Sequence, residues 1–241
     1  MIRATVWNEF FHETHVPEVM AIYPDGIHGA IAATLKEAGM ETRCAWLEQP
    51  EHGLTQEVLD QTDVLFWWGH MRHEMVSDEV TERVALRVQN GMGLVALHSA
   101  HASKPFKRLM GTRTGALRWR ESEDKQLMWC VSPGHPIAQG LGEYITIPMD
   151  ETYGEFFEIP TPDDLVYISW FSGGEVFRSV CSWNRGAGRV VYIQCGHETY
   201  PVYHQPEVKR LLVNAAKWVM PGEALLTLGE GRHAKIPPIQ E

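Results

Sequence analysis

The sequence predicts an α/β fold, a doubly wound and mostly parallel sheet with an antiparallel hairpin near its edge. Three observations carry this. Strand-like and helix-like segments alternate through the first half of the chain, the pattern of a parallel sheet with crossover helices. Asp63–Trp68 and Leu94–Leu97 are apolar almost without interruption, as strands buried on both faces are. The second of these stops at His98-Ser99-Ala100-His101, a polar turn before a helical segment. Such a turn holds a side chain up at the carboxyl end of a sheet, where ligands bind.

Taken in order, Ile2–Trp7 reads as the first strand, followed by a loop rich in His and Glu. Pro24-Asp25-Gly26 opens a helix with Ile27, Ile31 and Leu35 on one face, closed by Gly39. Glu41–Trp46 is the second strand, Val58 and Leu59 fall in a short turn, and Asp63–Trp68 is the third strand. Ser77, Asp78 and Glu79 start a helix with a Val80, Val84, Val88 stripe that ends at Asn90-Gly91. The parallel order expected is 2-1-3-4, with a late strand beyond the fourth. Gln126–Val131, Tyr144–Ile147, Leu165–Trp170 and Val176–Trp183 read as strands, and Asn184–Gly188 turns the chain into Arg189–Cys195. A last helix follows Pro206 and stops at Pro221-Gly222, leaving a loosely packed tail from Glu223. No repeat or linker divides residues 1–241, so one domain is expected.

A net charge of −10 disfavours a nucleic-acid partner or an anionic membrane surface. No apolar run approaches the roughly 20 residues that span a bilayer. The start, Met1 to Trp7, reads as a strand rather than a signal peptide. Cys44, Cys130, Cys181 and Cys195 form no C-x-x-C pair, which suits a reducing, cytoplasmic setting and argues against a thiolate metal site. Neither Gly91-Met92-Gly93 nor Arg185–Gly188 is a dinucleotide fingerprint, so no nucleotide cofactor is expected. Exposed Trp and Met would mark a homo-oligomer interface.

Polar residues gather after four strands: Asn8, Glu9, His12, Glu13 and His15; Gly69 to His73; His98, Ser99 and His101; His197 and Glu198. In a parallel sheet these ends converge on one crevice. Each cluster also has a plainer reading. His70 and His73 share a face on a helical turn but equally suit a solvated loop. His101 reads as a helix-start residue, His197-Glu198 as a cap, and His28, His52 and His233 as surface. His98 has the stronger functional reading, because a buried turn rarely accepts an ionisable ring without a partner. A single divalent ion, zinc before others, is expected on His70, His98 and His197, an open site with nitrogen and oxygen ligands. Glu198 and Glu9 are the acid/base candidates. A neutral sugar is expected to stack on Trp67, Trp68 or Trp7, with Asn8, Ser99 and Glu9 at its hydroxyls. Arg72 is the one nearby cation that a phosphorylated sugar would use.

Trp67-Trp68-Gly69-His70, Gly93–Ala100, Gly134-His135-Pro136-Ile137 and Gly188–Tyr192 through Gly196-His197-Glu198 resemble, in that order, the ThuA-like or trehalose-utilisation family. The resemblance runs from Met1 to about Met220. It implies a flavodoxin-like fold of the class I glutamine amidotransferase-like kind, with His98 at or beside the position of the amidotransferase cysteine. Glutaminase chemistry needs a thiolate at that elbow, and Cys195 near the end of another strand cannot supply it. The resemblance implies a role in carbohydrate metabolism instead. The leading reading is an enzyme acting on a sugar or keto-sugar, with a non-catalytic sugar-binding or regulatory protein as the alternative. A Ser99 hydrolase ranks last, since adjacent side chains on a turn point apart.

Overall fold

The computed structural model describes residues 1–220, so the expected tail from Glu223 and His233 lie outside the described residues. One nine-stranded mixed sheet runs through them. Its parallel half comprises β1 (Arg3–Asn8), β2 (Glu41–Trp46), β3 (Val64–Trp68), β4 (Gly93–Leu97) and the late strand β9 (Gly188–Ile193). They stand in the order β2-β1-β3-β4-β9, all pairs parallel, which is the expected order. β3 and β4 are buried along their whole length.

Alternation along these strands builds two cores. Val6, Phe66, Trp68, Val95 and Ile193 face α3 (Gly26–Glu37) and α7 (Pro206–Val219), whose Ile27, Ile31, Leu211 and Ala215 cover them. Trp7, Leu65, Trp67, Leu94 and Tyr192 face α5 (Asp78–Gln89) and α6 (Lys104–Met110) through Val80, Val84 and Phe106. Ser77 and Ser103 cap those two helices, accepting from the backbone of Val80 and Phe106. The His- and Glu-rich loop after β1 is instead two short helices, α1 (His12–His15) and α2 (Pro17–Ile22). Val58 and Leu59 lie in a short helix, α4 (Gln56–Asp60), because Thr55 caps it.

The second half departs further from expectation. A hairpin at the edge was expected; the structure has four antiparallel strands beyond β9, in the order β8 (Val176–Arg185), β7 (Asp164–Phe171), β5 (Arg118–Cys130), β6 (Tyr144–Gly154). β5 and β6 are each much longer than the short strands read from sequence. Pro148 interrupts the apolar run of β6 but is tolerated because β6 is an edge strand. Register shifts between Arg120 and Asp124 and between Asp124 and Gln126 bend the pair. Beyond the bend, Asp150–Gly154 are buried, whereas Tyr144–Pro148 alternate between solvent and core. The far end of β6 is thereby brought to the carboxyl ends of the parallel strands.

Candidate functional site

His98 is the pivot of the site. It follows β4 with φ +51°, a left-handed conformation that non-glycine residues adopt only at a cost of about 1–2 kcal/mol. The ring is fully buried. Its Nδ1 donates to the Gln194 carbonyl at 3.0 Å, and its Nε2 lies 3.1 Å from Glu151 Oε2. Burial opposes charge on this ring, but the adjoining Glu151 carboxylate, with Asp150 and Glu198 beyond it, outweighs burial and raises its pKa. Glu151 is correspondingly lowered: burial pushes it up, and His98 pulls it further down. The two atoms lie close together in the interior, yet no hydrogen bond is aligned between them. Tyr153 stacks on His98 with ring centroids 5.2 Å apart, and its hydroxyl lies 2.9 Å from Ser99 Oγ.

A second group faces this pair. His70 Nδ1 donates to Glu198 Oε1 at 2.7 Å, and His12 Nδ1 lies 3.4 Å from the same oxygen. Burial raises the Glu198 carboxyl, yet His70, His197 and His12 together hold it down at about 2. Burial holds His197 down to about 4, so its ring is neutral at pH 7. Its Nδ1 accepts from the Thr199 backbone at 3.3 Å and lies 2.8 Å from the Thr199 hydroxyl. The ring centroids of His70 and His98 stand 4.9 and 5.4 Å from that of His197. Three combinations bring three ligand atoms within 4.8 Å of one another: His12, His70, Glu198; His70, Glu151, His197; and His98, His197, Glu198. Each contains a carboxylate.

Backbone geometry around the cluster is set by two further carboxylates. Asp150, fully buried and pushed up to about 6 by that burial, accepts from Gly196 N at 2.9 Å, His197 N at 3.1 Å and Glu151 N at 2.9 Å. Glu9 Oε2 accepts from the backbone N–H groups of His70, Met71 and Arg72 at 2.9, 3.0 and 2.8 Å. Glu9 therefore shapes the loop that carries His70, and only its Oε1 remains unpartnered among the described residues.

The four strand ends do converge, bringing His70, His98, His197, Glu198 and His12 together as expected. Other expected contacts do not form. Asn8 is buried in a separate network, donating to Glu13 Oε1 at 2.6 Å and His28 Nδ1 at 2.9 Å, which also removes His28 from the surface. His52 is half-buried, Nδ1 donating to the Leu47 carbonyl at 2.7 Å and Nε2 accepting from Ser77 N at 3.0 Å. Trp67 and Trp68 are both core residues, because β3 is interior and both its faces are covered. Trp7 stacks on Trp67 at 4.0 Å, and Trp68 Nε1 donates to the Gly196 carbonyl at 3.1 Å. Arg72 lies over the Phe11 ring, 3.5 Å from its centroid, with Nη1 3.5 Å from Glu48. Ser99 does line the crevice, a cavity of ≈ 410 Å³ shared by His70, His101, Trp119, Glu151 and Tyr153.

Asp150, Glu151 and Tyr153 were missed in the sequence. The available signal was a run of polar and acidic residues continuing past Pro148, where the apolar alternation of Tyr144–Ile147 stops.

No curated protein sequence matches the chain. Its fold is similar to that of a ThuA-like protein from Bacteroides uniformis, at TM-score 0.66 and 15% identity over 90% of this chain and 91% of that one. A ThuA-like protein from Parabacteroides merdae gives TM-score 0.65 and 18% identity over 90% and 89%. A Salmonella typhimurium protein described as cytoplasmic gives 0.58 and 13% over 92% and 100%. At these identities the likeness is one of fold. None of the described helices is long and apolar enough to cross a membrane. The family model for ThuA, trehalose utilisation, matches residues 3–219, so the chain belongs to the ThuA family.

Proposed function

We propose that this protein is an enzyme acting on a neutral sugar or keto-sugar by metal-assisted acid/base chemistry, and not a glutaminase. Membership of the trehalose-utilisation family supports a carbohydrate-related role. One observation carries the finer reading. His98 Nε2, Glu151 Oε2, His197 Nε2 and Glu198 Oε2 are buried without hydrogen-bond partners among the described residues. Polar atoms held out of water in this way need a partner, and a cation or sugar hydroxyls would supply it.

The proposed ion is a single divalent metal, zinc first. Of the expected His70, His98 and His197, the ligand atoms that come within 4.8 Å of one another group as His98, His197 and Glu198 or as His70, His197 and Glu151. Each shell thus holds two imidazoles and a carboxylate. When bound, such an ion polarises a carbonyl oxygen of the substrate. The proton work falls to the chain. In an isomerisation or elimination beside a carbonyl, a carboxylate oxygen of Glu198 or Glu151 takes the C–H proton and the electron pair moves onto the carbonyl oxygen as an enolate. The same carboxyl, once protonated, returns that proton to the adjacent carbon. His197 is neutral, so its Nε2 can offer a lone pair to the ion once the ring proton sits on Nδ1, facing the Thr199 hydroxyl. Glu9 acts as a positioning residue through the His70 loop. In this reading the parallel half is the flavodoxin-like layer of an amidotransferase-like fold, with an imidazole where a thiolate would stand. The setting proposed is cytoplasmic, in keeping with four free cysteines.

Elemental analysis of protein purified without chelator tests the metal. The wild type should carry about one equivalent, and His98→Ala, His197→Ala and Glu151→Ala should each carry far less. Unchanged content in all three removes these residues from the shell. The chemistry is read independently by NMR: incubation of a keto-disaccharide in D2O should exchange the C–H proton beside the carbonyl. Metal-loaded protein that catalyses no such exchange would defeat the enzyme reading and leave a sugar-binding protein.

A further inference from the structure

We propose that Trp119, with Glu121 beside it, forms a stacking subsite for the second ring of a glycoside whose first ring lies against His70 and Glu151 in the same cavity. The proposal rests on the carbohydrate reading above and deepens it. With Trp7, Trp67 and Trp68 no more than 2% exposed, the crevice needs its aromatic platform from elsewhere. Trp119 is 64% exposed and lines the ≈ 410 Å³ cavity. An indole left in water at the mouth of a polar, carboxylate-rich cavity offers the apolar face that the C–H side of a sugar ring covers.

Its place follows from strand pairing. Trp119 on β5 stands directly across from Tyr153 on β6. Cross-strand partners share a face, with Cβ atoms about 5 Å apart. Tyr153 is stacked on His98, so its ring fills the width between His98 and Trp119. A ring on Trp119 is thus set apart from His98 by the Tyr153 ring and is the neighbour of a ring held at His70 and Glu151, not the same one. Glu121, two residues along β5, lines the same cavity, and its carboxylate lies 3.9 Å from His197 Nε2. It is exposed to solvent and placed to accept hydrogen bonds from the hydroxyls of a sugar bridging the two positions. Arg118 and Arg120 line a second cavity with Glu155 and Glu175, at whose edge Trp119 also stands, and both arginines are absent from the lining of the crevice. The same strand therefore offers the crevice an aromatic ring and an acceptor but no cation, which fits a neutral, multi-ring ligand.

Calorimetric titration with glucose, trehalose and 3-keto-trehalose tests this on the wild type, Trp119→Ala and Trp119→Phe. The wild type should bind at least one disaccharide at least tenfold tighter than glucose. Trp119→Ala should lose that margin while glucose binding, metal content and melting temperature stay unchanged, and Trp119→Phe should keep most of it. Disaccharide affinity unaltered in Trp119→Ala overturns the subsite and leaves the carbohydrate reading standing. A wild type that binds none of the three sugars overturns both. Sedimentation in parallel covers the remaining role of an exposed indole. If Trp119→Ala dissociates an oligomer without weakening sugar binding, Trp119 belongs to an interface and the subsite is wrong.

Discussion

Gly196→Ala should destabilise the protein by about 4 kcal/mol, the largest effect expected of any single methyl group at the site. Two penalties coincide there. Gly196 has φ +125°, a conformation whose strain for an L residue is about 1–3 kcal/mol. A Cβ added there would also collide with the ring and hydroxyl of Tyr203, lying 2.8 Å from its Cε2. Tyr203 is fully buried and cannot swing aside without opening the core, an overpacking cost of about 1–3 kcal/mol. Gly91 separates the two terms, because it has φ +120° with nothing within 4 Å of an added Cβ. Gly91→Ala should lose only the strain. Thermal unfolding of both variants against the wild type checks this, and equal losses at Gly91 and Gly196 would refute the collision. The Gly196 peptide is also held on both sides, by Asp150 at its N–H and by Trp68 Nε1 at its carbonyl. Displacing it moves His197 and Glu198, so the variant should bind metal poorly even where it remains folded.

That peptide also marks the division between what the sequence disclosed and what it did not. β3 and β4 are legible because interior parallel strands must be apolar on both faces, and the residues after them must then be polar because they meet the crevice. His70 and His98 follow from this alone, and His197 and Glu198 from the same reading of the late strand, β9. The same reasoning misplaces Trp67 and Trp68. Alternation says they face opposite sides, but not that both sides are covered by helices. Asn8 fails for a related reason: its position at a strand end is right, but Glu13 and His28 reach it first. Glu151 and Trp119 were beyond reach because both depend on the bend of β5 against β6. A register shift in an edge pair is fixed by long-range packing, and Pro148 breaks the only periodic signal that would have extended β6. Half of the site thus comes from a part of the fold whose strands are set by their partners rather than by their own pattern.

His28 yields the second large effect, a loss of stability in mild acid. Burial holds its pKa down from 6.5 to about 4, against the weaker pull of Asp25. The unfolded ring takes up a proton near pH 6.5, whereas the folded ring stays neutral until about pH 4. Between those values the unfolded state binds more protons, so stability falls as the pH falls, and below about pH 4 the difference stops growing. The full window is worth on the order of 3 kcal/mol from this ring. His101, held down to about 3, and His73, held down to about 4, act with the same sign. The structural cause at His28 is specific. Its Nδ1 accepts from the Asn8 amide, whose Oδ1 is already taken by the Phe10 backbone N–H at 2.9 Å. A proton on Nδ1 would face a donor, and turning the Asn8 amide to receive it would release Phe10 and the turn leading to His12. His28→Gln replaces that nitrogen with an acceptor that does not titrate in this range. Urea unfolding at pH 7.5 and pH 4.5 should therefore show a smaller drop in the variant than in the wild type, by up to about 3 kcal/mol, even though loss of the ring against Phe10 and Trp46 lowers its stability at both pH values. An equal drop in the two proteins would mean that His28 is already charged, or already exposed, in the folded state.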